Sequence, residues 1–197
     1  IWQGLNLVGS PLELSAPFFQ DIFDPYSTIG YFNGLTNNAF NIELGEGYYV
    51  YSFSENESNS VSLAGDLLLE HEIGLSQGWN LISNPLVSDI YLDSLSVRHI
   101  DSYYDWQTSI SNNLISPVLI GYSNQDLIHT ADNMIEPFKG YWVHAPAEDI
   151  SLVVRPHILD SEDNELTDIF DQYDWTVKVA SFELGSENIK DFIVIGT

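Results

Sequence analysis

Two ten-residue phrases in this chain are nearly the same phrase. "QGLNLVGSPL" occupies residues 3–12 and "QGWNLISNPL" occupies residues 77–86, with Gln, Gly, Asn, Leu, Pro and Leu identical at a constant offset of 74. A second phrase follows each copy. "GYYVYS" from Gly47 matches "GYWVHA" from Gly140, at an offset of 93. A weaker third match pairs "VSLAGD" from Val61 with "ISLVVR" from Ile150. Three phrases in the same order twice mark an internal duplication, which limits the folds available more than any other feature. Copy one is assigned to residues 1–74 and copy two to residues 75–155. Pro11 and Gly47 lie 36 positions apart and Pro85 and Gly140 lie 55 apart, so copy two is the longer. The excess is expected largely in residues 112–133, where apolar runs are broken by Pro117, Gly121 and several Asn and Asp.

The repeated phrases read as strands. Alternation in "GYYVYS" places Tyr48 and Val50 on one side and Tyr49 and Tyr51 on the other. Pro11 and Pro85 lack a backbone N–H and should each end a strand. Short helices are expected within 16–23 and 89–97, with Ser15 and Asp89 as N-caps. Short strands with frequent Gly, Asn and Ser turns indicate an all-β fold: an internally duplicated β-sandwich or barrel with pseudo-twofold symmetry and few short helices. Half-length units of about 75 residues are near the lower limit for a self-sufficient core, so the copies are expected to share a single interior. Residues 156–172 read as an acidic linker or loop. Residues 173–197 alternate like two strands, closing this domain or beginning a further β module.

Charge excludes one class of partner. The 197 residues carry 29 Asp and Glu against 5 Lys and Arg, a formal net charge of -24. Five scattered cations cannot form a basic groove, so nucleic acid is set aside. With no cysteine there is no disulfide, thiolate metal site or Cys nucleophile. No apolar run is long enough for a membrane-spanning helix. The apolar start and the ending "FIVIGT" are read as cuts from a longer polypeptide.

Several motifs bear on chemistry. "GLSQG", residues 74–78, has the outline of a hydrolase nucleophile turn, but Ser76 precedes a strand where that chemistry needs a helix. "HEIGL" at His71 lacks the second His of a zinc-protease helix, and the five His share no ligand spacing. Asp160, Glu162 and Asp163 offer the oxygen ligands of a calcium ion without the spacing of a known calcium loop, so a solvated acidic loop is the plainer reading. No other cofactor is expected. Tyr49, Tyr51, Trp142 and His144 fall on one face of equivalent strands and, with Trp106 in the longer copy, could stack on a glycan. Core packing is the competing role for such rings.

At these residues the chain carries a family likeness. Gly78–Pro85, "GWNLISNP", followed by "FKGYWV" at 138–143, resembles the non-catalytic β modules of large secreted and cell-surface proteins of Bacteroidota and related bacteria, which usually leave the cell by type IX secretion. Copy one departs from the pattern, with Leu5 and Tyr49 at the two Trp positions. The resemblance implies an extracellular or cell-surface location, neighbouring domains of the same polypeptide as partners, and no shared catalytic residue. It also implies that Ser94, in Asp93-Ser94-Leu95, could accept a glycan of the bacterial O-linked kind. Three functions remain open: a structural or adhesive module, a carbohydrate-binding module attached to a hydrolase, and a subunit of a surface filament. The filament would pair the ends Ile1-Trp2 and Phe192–Ile195 with like subunits.

Overall fold

A computed structural model describes residues 3–23, 28–31, 40–53, 61–123, 128–155, 176–182 and 189–196. The chain is all-β, with two short α-helices among the described residues, and divides into two compact units, residues 1–157 and 158–197. Among the described residues no helix is long and apolar enough to cross a membrane.

The first unit begins with β1 (Gly4–Val8), β2 (Glu13–Leu14), α1 (Phe19–Ile22), β3 (Thr28–Tyr31), β4 (Tyr48–Ser52) and β5 (Gly65–Asp66). It continues with β6 (His71–Leu75), β7 (Gly78–Ser83), β8 (Ile90–Tyr91), β9 (Ser96–His99), β10 (Ser102–Asp105) and α2 (Trp106–Ser111). It closes with β11 (Leu119–Ser123), β12 (Ile128–Asp132), β13 (Met134–Ile135), β14 (Gly140–Ala145) and β15 (Ile150–Val154). In the second unit β16 (Thr176–Phe182) and β17 (Ile189–Gly196) form an antiparallel pair.

The repeated phrases are partners of each other. In copy one β1 pairs antiparallel with β4, setting Leu5 opposite Tyr51, Asn6 opposite Val50, Leu7 opposite Tyr49 and Val8 opposite Tyr48. In copy two β7 pairs antiparallel with β14, setting Trp79 opposite His144, Asn80 opposite Val143, Leu81 opposite Trp142 and Ile82 opposite Tyr141. Adding 74 on the first strand and 93 on the second converts every pair of one copy into a pair of the other. A third strand extends each sheet on the same side, β3 on β4 and β11 on β14, and β12 follows β11. Gly30 lies opposite Val50 and Leu119 opposite Val143, which sets β11 89 residues after β3. Most of the excess in copy two therefore enters before β11, earlier than expected, where β9, β10 and α2 are built.

Local details repeat as well. Asn6 and Asn80 each donate a side-chain N–H to the carbonyl two residues back, Gly4 and Gly78, at 3.0 Å. Those glycines have φ of 93° and 102°, in the region where a Cβ is unfavourable. Tyr48 and Tyr141 are fully buried, and each hydroxyl accepts from the backbone N–H five residues earlier, Glu43 at 2.7 Å and Glu136 at 3.0 Å. Burial raises both phenols above the usual tyrosine range. Because the raised state is the folded one, the neutral hydroxyls support the fold fully below the unfolded-state value of about 10 and progressively less above it. Stability measured by urea titration should therefore fall as pH rises past about 10, and Tyr48→Phe with Tyr141→Phe should flatten that decline.

The interior differs from expectation. Two separate clusters form in place of one shared core. The larger cluster lies in copy two but takes in β6, from the segment assigned to the end of copy one: the sheet β10-β9-β15-β6 and the sheet β12-β11-β14-β7 bury Val97, Leu152 and Ile73 against Ile82, Leu119 and Val143, giving a sandwich. In copy one, Phe19, Phe23, Phe40 and Tyr48 cover one face of the β1-β4-β3 sheet, with Phe40 stacked on Tyr48 at 5.4 Å. Ring packing gives copy one a core of its own, because a few aromatics fill what copy two fills with a second sheet.

The helices also required correction. Residues 19–22 do form a helix, but Phe18 precedes it and no side chain caps it. Residues 89–97 instead give β8, a single 3-10 turn at Leu92–Ser94 and the start of β9. The longer helix, α2, follows Asp105, whose carboxylate accepts from Thr108 N at 2.8 Å and from its hydroxyl at 2.7 Å.

Candidate functional site

The copies meet through reciprocal contacts. Gly9 N donates to Phe138 O at 3.2 Å, and Ser83 N, equivalent to Gly9, donates to Gly45 O, equivalent to Phe138, at 2.8 Å. Val8 bridges to Lys139 as Ile82 bridges to Glu46. A Cβ on Gly47 would lie 2.9 Å from Leu81 Cγ and 2.7 Å from Ile82 O, while one on Gly140 would lie 2.9 Å from Leu7 Cγ and 3.2 Å from Val8 O. Both positions need glycine for this close approach. Gly45 and Phe138 share a left-handed backbone, φ 80° and 65°. At the centre, equivalent residues touch each other: Trp142 Nε1 donates to Tyr49 Oη at 2.9 Å, and a Cβ on Gly9 would overlap the Ser83 side chain.

Strand alternation turns Tyr48, Val50, Tyr141 and Val143 inward, so the faces of β1/β4 and β7/β14 away from the cores carry the remaining rings. Tyr49 and Trp142 are half-buried at the middle of this outer face. On the copy-one side Tyr51 is exposed, its ring 4.9 Å from that of exposed Phe53. On the copy-two side the half-buried His144 meets Trp79 edge-on at 5.0 Å, and Trp79 is 55% exposed. His144 Nδ1 lies 3.1 Å from the Ser116 hydroxyl, which fixes the ring. Four of the five candidate stacking residues, Tyr49, Tyr51, Trp142 and His144, thus share one surface.

The fifth does not. Trp106 is 2% exposed, in the copy-two cluster, and its faces are spent on packing at the start of α2. Trp79 takes its place as the most open ring of this face, which sequence reasoning missed. The missed signal was its register partner: opposite His144, Trp79 must share the outer face.

Comparison of the chain with family models, curated proteins and solved structures gave no match.

The other candidate residues are placed as follows. Ser94 is half-buried, with Oγ donating to Tyr91 O at 2.7 Å. Asp160, Glu162 and Asp163 lie outside the described residues. Among the described residues no three His, Asp or Glu side chains converge as metal ligands would. Ser76 sits in the exposed turn between β6 and β7, where Asn80 accepts from its N–H and donates to its carbonyl, both at 2.8 Å. What the arrangement can do chemically is present aromatic surface and hold its surroundings rigid.

Proposed function

We propose that this chain is a non-catalytic structural or adhesive module of a larger secreted or cell-surface protein, of the kind its phrases resemble in Bacteroidota. Its two copies are related by a pseudo-twofold axis through Tyr49–Trp142 and Gly9–Ser83. One observation supports this reading: the backbone hydrogen bonds from Gly9 and Ser83, the bridges at Val8 and Ile82 and the close approaches of Gly47 and Gly140 each recur with the roles of the copies exchanged. Reciprocal contacts are what a twofold relation produces. Such a junction makes one stiff body out of two small cores, which suits a spacer whose loops are displayed at fixed positions. Its high negative charge keeps such a unit soluble through self-repulsion. Antibody raised against the purified chain should label intact, unpermeabilised cells of the source organism or their culture fluid. Signal confined to the cytosol, or turnover of any substrate by the purified chain, would contradict the reading.

A second reading, a carbohydrate-binding module attached to a hydrolase, is favoured by the outer aromatic face. Trp79, Tyr51 and Phe53 are exposed there, and large exposed apolar patches mark interaction surfaces. Retardation of the chain in polysaccharide gels, abolished by Trp79→Ala with folding intact, would establish it. Unretarded migration in every polysaccharide would remove it. The filament reading has less behind it, since Ile1 and Trp2 lie outside the described residues and Phe192–Ile195 are paired with β16 along β17.

A further inference from the structure

A cleft of about 780 Å3 opens between the copies, and Val8, Val61, Leu63 and Phe138 are among the residues that line it. Their equivalents, Ile82, Ile150, Leu152 and Gly45, lie against a strand. β6 runs antiparallel to β15, with Leu75 opposite Ile150 and Ile73 opposite Leu152. Ile73 and Leu75 turn into the copy-two cluster with Ile82. A Cβ on Gly45 would lie 2.9 Å from Ile73 Cγ1 and 3.2 Å from His71 Nε2. What β6 covers in copy two stands open in copy one: Ile82, Ile150 and Leu152 are buried, whereas Val8, Val61 and Leu63 are half-buried and Phe138 is 54% exposed. The ladders differ in the same way. β15 has β9 on one side and β6 on the other. β5, which follows Val61–Ala64, pairs with β2, and Ser15 N extends that pairing to Ala64 O at 3.1 Å. β2 falls between β1 and β4 as β9 falls between β7 and β14. On its other side β5 has no strand among the described residues. An open edge offers backbone N–H and C=O groups for another strand to pair with.

We propose that this cleft is the seat of a β-strand, the counterpart of β6, contributed by the stretch of polypeptide that leads into Ile1. β6 reaches β7 through only Ser76 and Gln77. The 74-residue offset that relates β7 to β1 carries His71–Leu75 onto the four positions before Ile1 and Ile1 itself, so that Ile1 answers to Leu75. The strand's pattern is set by β6: apolar where Ile73 and Leu75 face the core, polar or small between them. A strand continuous with β1 is held beside its groove at the high effective concentration of a short linker, an advantage that a separate molecule of like sequence lacks. The proposal rests on one part of the reading above, that the chain belongs to a longer polypeptide.

The test is the full chain extended by His-Glu-Ile-Gly directly before Ile1, which reproduces His71–Gly74 ahead of β1. Relative to the parent, amide hydrogens within Val61–Ala64 should exchange at least about tenfold more slowly, and the melting temperature should rise by about 4–8 °C. An extension of His-Ile-Glu-Gly has the same composition but turns its apolar residue to the solvent face, and it should give neither effect. Unchanged exchange with the matched extension, or equal gains from both extensions, would overturn the proposal. So would an unextended chain that dimerises in sedimentation and becomes monomeric on extension, since the cleft would then belong to a second copy. Any of these failures would leave the module reading standing, because that reading is tested by where the protein is found.

Discussion

Serine at position 9 should destabilise the chain by about 3 kcal/mol, the upper part of the range for overpacking a tight contact. The added Cβ would occupy the space of the Ser83 Cβ and Oγ and approach Glu46 O to 3.1 Å. Neither obstacle is the end of a flexible side chain, so relief requires the strands to part. Parting them strains the two backbone hydrogen bonds of the junction, Gly9 to Phe138 and Ser83 to Gly45. For a chain of this size the change corresponds to a melting temperature lower by about 6–12 °C. Urea unfolding of Gly9→Ser beside the parent measures it, with an unchanged slope showing that the unfolded state is not responsible.

Removing either buried tyrosine should cost more. Tyr48→Ala and Tyr141→Ala should each lose about 3–5 kcal/mol, the range for emptying a large aromatic site. Tyr48 is packed against Phe40, and Tyr141 lies under the copy-two sandwich. The phenylalanine variants separate ring from hydroxyl. Each should lose about 1–2 kcal/mol, because the N–H of Glu43 or Glu136 forfeits its acceptor. The two tyrosines belong to different clusters, so the paired phenylalanine substitutions should add to within about 0.5 kcal/mol. A strongly non-additive pair would mean that the cores act as one interior after all.

The sequence revealed the repeated strands and their alternation better than it revealed how they pair and pack. Alternation alone separated Tyr48 and Tyr141 from Tyr49, Tyr51, Trp142 and His144, because a strand's period of two is strict. Pro11 and Pro85 marked the strand ends, as β1 stops at Val8 and β7 at Ser83. Period cannot say how many cores a duplicated chain builds, since that depends on which faces meet. Copy one closes its sheet with Phe19, Phe23 and Phe40, residues that read equally well as part of a common interior. Trp106 and Trp79 show the same limit within the candidate site. Both are large and apolar, yet one caps a core and the other stands in solvent, a difference set by the strand or helix each belongs to. The helix α2, capped by Asp105, went unread because six helical residues between short strands carry too little periodicity to be seen.

The proposed twofold relation between the copies has one direct measurement: the stability of the exchanged pair Gly9→Ser/Ser83→Gly. If the two sites are equivalent, the serine moves across the axis into the room its partner vacates. Little is lost at position 83, where the buried Oγ has no hydrogen-bond partner among the described residues. The exchanged protein should then recover to within about 1 kcal/mol of the parent, a coupling of roughly 2 kcal/mol between the substitutions. An exchanged protein as unstable as Gly9→Ser alone, or less stable still, would show that the two sites are not interchangeable and would contradict the account.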